Sequence, residues 1–156
     1  METTLPKDRS PSLHLLWGFV AGFLATLIFH QMAVALLWKL GMAPGPPFQM
    51  VPRPPLGVPA VFSLAFYGGI WGVLFAATDQ YFPRDGRYWM TALIGGAIFP
   101  SLVALLVVAP LKGSPIGADW NWKIWLFAMI VNGIWGVGTG LILQGLRRVS
   151  SVRQIK

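Results

Sequence analysis

Four apolar runs, each longer than the roughly 20 residues a helix needs to cross a bilayer core, divide this chain of 156 residues. Two of the runs carry the same pentapeptide midway: Gly69-Ile70-Trp71-Gly72-Val73, and sixty-four residues later Gly133-Ile134-Trp135-Gly136-Val137. In hydrocarbon every backbone polar group must be satisfied inside the protein, which a helix achieves within one segment. The repeat therefore predicts an all-α membrane protein of four transmembrane helices, built as two tandem parallel helical-hairpin repeats. Composition agrees that lipid is the solvent, since charged residues make up 11% of the chain against about 25% in an ordinary soluble domain.

Taken in order, a short polar tail with Lys7 and Arg9 leads into a first helix over 13–38. Ala33-Val34-Ala35 imitates a secretory cleavage site, but the run outlasts a signal h-region and stays apolar beyond that point, so it reads as a retained, tilted helix. Residues 41–58 hold Pro44, Pro46, Pro47, Pro52, Pro54 and Pro55, and prolines at this density cannot close helical hydrogen bonds. This stretch is expected outside the hydrocarbon, as a semi-rigid strap between two helices; a polyproline ligand for a partner is the competing reading. A second helix over 59–80 follows, then a turn at Pro83-Arg84-Asp85-Gly86. The third helix, over 88–110, is kinked at Pro100, and a second connection over 111–121 leads to the fourth helix, over 122–146. A basic tail over 147–156 closes what reads as a single transmembrane domain spanning 1–156.

Lys and Arg number eight in the two tails and the middle loop (Lys7, Arg9, Arg84, Arg87, Arg147, Arg148, Arg153, Lys156) and four in the other connections (Lys39, Arg53, Lys112, Lys123). By the positive-inside rule both termini are expected to be cytoplasmic. Cations dispersed in this way orient a bilayer protein, so nucleic acid is not an expected partner. Trp17, Tyr81, Tyr88 and Trp89 are expected in the aromatic belt at the inner boundary, and Trp38, Trp120, Trp122 and Trp125 at the outer. Trp71 and Trp135, at mid-depth, should fill space beside a helix crossing.

Helices in lipid associate by close backbone approach, which small residues four apart allow. Such stripes run through Gly18, Gly22, Thr26 and His30; through Gly68, Gly72 and Ala76; through Ala92, Gly96, Pro100 and Ala104; and through Asn132, Gly136 and Gly140. A shift of sixty-four carries the second stripe onto the fourth, with Asn132 standing where the first copy has Gly68. Polar groups in hydrocarbon need partners. His30 and Asn132, with Tyr67 and Ser101 at comparable depth, are expected to form a buried polar cluster, read first as interhelical glue. Asp79, at the end of the second helix, is expected in water, pairing with Arg84 or Arg87.

The absence of cysteine excludes disulfides and thiolate chemistry. The two histidines, His14 and His30, lie about 24 Å apart along one helix at 1.5 Å per residue, which leaves no metal-ligand spacing. A bis-histidine haem would require a dimer sharing His30, so no cofactor is expected. A hydrolase built on Ser101 and His30 has no support in the spacing, and no catalytic residues are expected.

Gly18-Phe19-Val20-Ala21-Gly22-Phe23-Leu24-Ala25-Thr26, Gly69 to Ala76, Val107-Val108-Ala109-Pro110-Leu111-Lys112-Gly113 and Asn132 to Leu141 together resemble an uncharacterised family of small four-helix bacterial inner-membrane proteins. The resemblance spans most of residues 15–145 and implies a four-helix fold resident in the bacterial inner membrane, without implying an activity. Two functions are carried forward. One is a non-enzymatic scaffold or accessory subunit, partnered by the bilayer and by a further copy or another membrane protein. The other is a small oligomeric transporter or channel organised around His30 and Asn132.

Overall fold

The computed structural model describes residues 11–54 and 56–152. Among them four helices are long and apolar enough to cross a membrane: α1 (Pro11–Lys39), α2 (Ala60–Tyr81), α3 (Arg87–Leu111) and α4, whose membrane-length part is Trp122–Val149 and whose helical turns run to Val152. The chain is a predominantly helical, all-α-class, multi-pass membrane protein. Most of the polar amino tail, Pro55, and the tail residues Arg153 and Lys156 lie outside the described residues. The helices stand in the order α2, α1, α4, α3: α1 packs on both α2 and α4, α3 packs on α4, and α2 meets α4 only lightly.

Glycine sets the distance within each hairpin. A Cβ built on Gly22 of α1 would stand 2.8 Å from the Gly72 Cα of α2, and one built on Gly96 of α3 would stand 2.8 Å from the Gly136 Cα of α4. Gly18 meets Gly72 and Ala76, Gly68 meets Thr26, and Gly140 receives the Tyr88 ring, so all seven glycines expected at packing positions lie against another helix. The two glycines of each pentapeptide divide the work. The second admits a facing backbone, whereas the first admits a side chain, Phe19 at Gly69 and Leu93 at Gly133.

Beyond each crossing, by one turn in the first hairpin and two in the second, the helix widens. Residues Thr26–His30 of α1 and Ala104–Val108 of α3 form π turns, each of which holds one residue more than an α turn and so rotates the helix beyond it by about 100°. The stripes extrapolated in steps of four therefore drift off the interface. After Thr26 the next buried position is Gln31, not His30, and Ala104 is exposed while Leu105 is buried. In α3 the widening follows Pro100, which lacks the N–H that would bond the carbonyl of Gly96. Both helices then end in the same cap. Gly41 (φ +70°) and Gly113 (φ +78°) take the left-handed conformation. Met42 N–H reaches Leu37 O at 2.8 Å, and Ser114 N–H reaches Ala109 O at 3.0 Å, as a Schellman ending requires.

The proline strap is folded rather than extended. Pro52–Arg53 (β1) and Val58–Pro59 (β2) pair antiparallel in a minimal hairpin. The strap also caps α2, which has no side-chain cap at Pro59: the N–H groups of Ala60 and Val61 donate to Val51 O (2.9 Å) and Gln49 O (3.0 Å), satisfying two of the donors a helix start leaves free. At the far end, α4 continues through residues read from sequence as the start of a tail, because Arg147 still faces the bundle there.

Candidate functional site

Two polar regions stand at opposite ends of the bundle, separated by a tightly packed middle. At the strap end a half-open cleft of about 680 Å³ lies between α1, α2, the strap and the segment after α3. Half-buried His30 lines its inner part, Ser63, Gln49 and the exposed Tyr67 its side, and the exposed Arg53 and Lys112 its rim. Gln31 builds the roof. Its side chain is buried, and its Oε1 accepts the backbone N–H of Phe48 at 2.7 Å, holding the strap down on α1. Phe48 is left-handed at φ +52°, a conformation costly to a residue with a Cβ, and this hydrogen bond helps fix it. The Gln31 amide nitrogen also donates to His30 Nδ1 at 3.4 Å, which leaves the proton of a neutral imidazole on Nε2.

The polar cluster expected from sequence is thereby divided in two. Asn132 Nδ2 donates to Ser101 Oγ at 3.0 Å, joining α4 to α3. His30 and Tyr67 instead line the cleft. Among the described residues no hydrogen bond links one pair to the other. The π turn accounts for the split, since it swings His30 off the stripe it shares with Thr26 in sequence. Gln31 was missed for the same reason: a step of four from Thr26 skips it, and a step of five finds it.

At the end where α1 begins and α4 closes, Asp79 is buried, with 1% of its surface exposed. Its Oδ2 lies 2.6 Å from an Arg147 guanidinium nitrogen, and its Oδ1 lies 3.6 Å from His14 Nε2. That imidazole nitrogen donates to Ala76 O at 2.7 Å, and Arg147 comes within 3.4 Å of Nδ1. The expectation of a water-exposed Asp79 paired with Arg84 or Arg87 is corrected. Arg87 pairs with Asp85 on the surface (2.9 Å), whose carboxyl is held below the ordinary range by the Arg87 side chain and then by the Arg87 backbone N–H. Three stripes carry their polar ends to one point. His14 lies four residues before Gly18, Asp79 three after Ala76, and Arg147 seven after Gly140, all helical spacings. Tyr88 and Trp17 also turn inward and pack on this core rather than forming a belt, whereas Tyr81, Trp38, Trp120 and Trp122 are exposed as expected of belt residues.

Between the two regions the packing residues are small and buried. Ala21, Ala25, Ala65 and Ala92 have no exposed surface, and the Trp135 indole N–H crosses from α4 to the Gly22 carbonyl of α1 at 3.0 Å. Among the described residues no three His, Asp or Glu side chains gather in a way that could hold a metal ion. No protein-family model matches the chain, and no curated protein or solved structure matches it significantly.

Proposed function

We propose that this chain is a non-enzymatic membrane protein, a scaffold or accessory subunit of the bacterial inner membrane with both termini cytoplasmic. It would have arisen by tandem duplication of one helical hairpin, and would belong with the uncharacterised small four-helix bacterial inner-membrane proteins it resembles in sequence. The observation that carries this reading is the closed middle of the bundle, where glycine and alanine contacts separate the His30 cleft from the Asp79 cluster. Such packing among the described residues argues against a polar path from face to face through a single chain. Its glycine seams are consumed in holding its own hairpins together. A partner, whether another copy or a different membrane protein, would therefore meet the outward apolar faces of α2 and α3, where Phe66, Leu74, Met90 and Phe99 are exposed. The duplication is supported by features that recur in both halves: a crossing on the second glycine of the pentapeptide, a π turn beyond it, and a left-handed glycine closing the first helix of the hairpin.

The transporter reading has one observation in its favour, the cleft that brings His30 toward open space. Flux assays on proteoliposomes separate the two. A scaffold gives ion and proton leakage equal to that of empty vesicles, and His30→Leu changes nothing but stability. A pH-dependent flux that disappears in His30→Leu, with the helices still folded, would overturn the scaffold reading.

A further inference from the structure

The cleft at the strap end has a charge pattern that neither the packing nor a scaffold role requires. Its rim carries Arg53 from the first hairpin's strap and Lys112 from the connection of the second, and no carboxylate lines it. Among the described residues neither cation has an acidic partner. Both are held on ordered backbone. Arg53 is in β1, paired with Val58, and the Lys112 N–H bonds Val108 O and Ala109 O in the cap of α3. Two cations supplied to one cleft by separate connections, with no carboxylate in its lining, make it attractive to an anion.

The remaining walls say what kind of anion. Ser63 and Tyr67 offer hydroxyls and Gln49 an amide, donors and acceptors suited to phosphate and ester oxygens. The depth of the cleft reaches His30, nine residues before the end of α1, or about 14 Å along the helix at 1.5 Å per residue. Leu64 and Tyr67, 42% and 59% exposed, continue its wall onto the outward apolar face of α2. A site that is cationic at the rim, hydrogen-bonding along one wall and apolar where it opens onto a membrane-spanning helix matches an amphiphile. Its volume of about 680 Å³ is within the usual span of about 300–1,000 Å³ for small-molecule sites.

We propose that this cleft binds the phosphate group of an anionic membrane amphiphile, with Arg53 and Lys112 taking the phosphate and the chain descending beside Leu64 and Tyr67. Arg53 supplies a planar fork that can take two phosphate oxygens, while Lys112 acts as a point charge. Gln31 is a positioning residue, holding the roof through Phe48.

The test is native mass spectrometry of the full chain released from neutral detergent, with phosphatidylglycerol, phosphatidylcholine or inorganic phosphate added. The wild type is expected to retain phosphatidylglycerol in preference to phosphatidylcholine. The double variant Arg53→Gln/Lys112→Gln should bind it at least about tenfold more weakly, the loss expected when charge-assisted hydrogen bonds are removed. Lys39→Gln/Lys123→Gln removes the same charge from the same end without touching the cleft and should leave binding unchanged, and Lys112→Arg should retain it. Displacement of the lipid by excess inorganic phosphate would support the site by showing that the phosphate group alone is recognised, and retention against phosphate by the wild type but not by the Arg53/Lys112 variant would support it with the chain contributing. Equal retention by the Arg53/Lys112 variant, an equal loss in the Lys39/Lys123 control, or indifference between the two lipids would overturn it. A flux result that ended the scaffold reading would leave this measurement intact.

Discussion

Arg147→Met tests the buried ionic cluster most directly, because it keeps the aliphatic stem and removes only the guanidinium. In the folded chain Asp79 is 1% exposed and its Oδ2 is 2.6 Å from Arg147. The other nearby nitrogen, His14 Nε2, is 3.6 Å from Oδ1 and already donates to Ala76 O, so it is a poor substitute. Stranding a buried charge costs about 3–5 kcal/mol. The Arg147 side chain is 20% exposed, which lets some water approach and places the expected loss near the lower end, about 3 kcal/mol. Asp79→Leu takes the carboxylate away from a guanidinium that is partly wet, at about 1–3 kcal/mol. The double variant Asp79→Leu/Arg147→Met has no stranded charge and should return to within about 1 kcal/mol of wild type, as buried pairs replaced by apolar residues usually do. The cycle should thus report a coupling of about 3–6 kcal/mol, well above the 0.2–1 kcal/mol or so of an exposed pair. Unfolding in mixed micelles by added dodecyl sulfate, followed by circular dichroism, measures each corner. Singles within about 0.5 kcal/mol of wild type, or a double variant as unstable as the sum of the singles, would refute the claim that this cluster clamps three helices.

Other expectations follow from single contacts. Gly22→Ala puts a methyl carbon 2.8 Å from the Gly72 Cα and should destabilise by about 1–3 kcal/mol through overpacking, whereas Gly95→Ala, with nothing within 4 Å of the new carbon, should gain about 0.5–1 kcal/mol in the same unfolding assay. Trp135→Phe removes the bond to the Gly22 carbonyl and should cost about 1 kcal/mol from that bond alone, with further loss from the smaller ring; Trp71→Phe should cost less. Gln31→Leu frees the Phe48 N–H and should speed hydrogen exchange and proteolysis across 44–54 while leaving the helix content unchanged. The carboxyl of Asp85 titrates below the ordinary 3.8, so its small stabilising contribution is complete above that value and disappears as pH falls through the lower folded value. Carboxyl NMR should show Arg87→Gln moving the titration back up.

Much of the architecture is a direct consequence of composition and spacing. Apolar runs longer than a bilayer is thick leave the chain little choice but helices, and glycines four apart leave those helices one face on which backbones can touch. Gly22 with Gly72 and Gly96 with Gly136 are legible on that basis, as is the hydrogen bond of Asn132 to Ser101, two polar groups at one depth with little else to satisfy them. The same stripes, followed one or two turns further, reach His14, Asp79 and Arg147. A reading that treats Arg and Asp near a helix end as solvated charge stops short of that meeting point, because nothing in a linear sequence says which helix end is covered.

Two matters are decided only in three dimensions. The π turns are invisible to any fixed period, since whether a helix admits an extra residue depends on what its neighbours press against it. That extra residue puts Gln31 where His30 was expected and Leu105 in place of Ala104. The two tryptophans of the repeated pentapeptide are identical in local sequence and differ in role. Trp135 is on α4, which lies between α1 and α3, so its indole meets the Gly22 carbonyl and is buried; Trp71 is on α2 at the edge of the row and is only half-buried. Local sequence determines that each helix has a tryptophan beside its glycine. The order in which helices pack determines which tryptophan finds a partner.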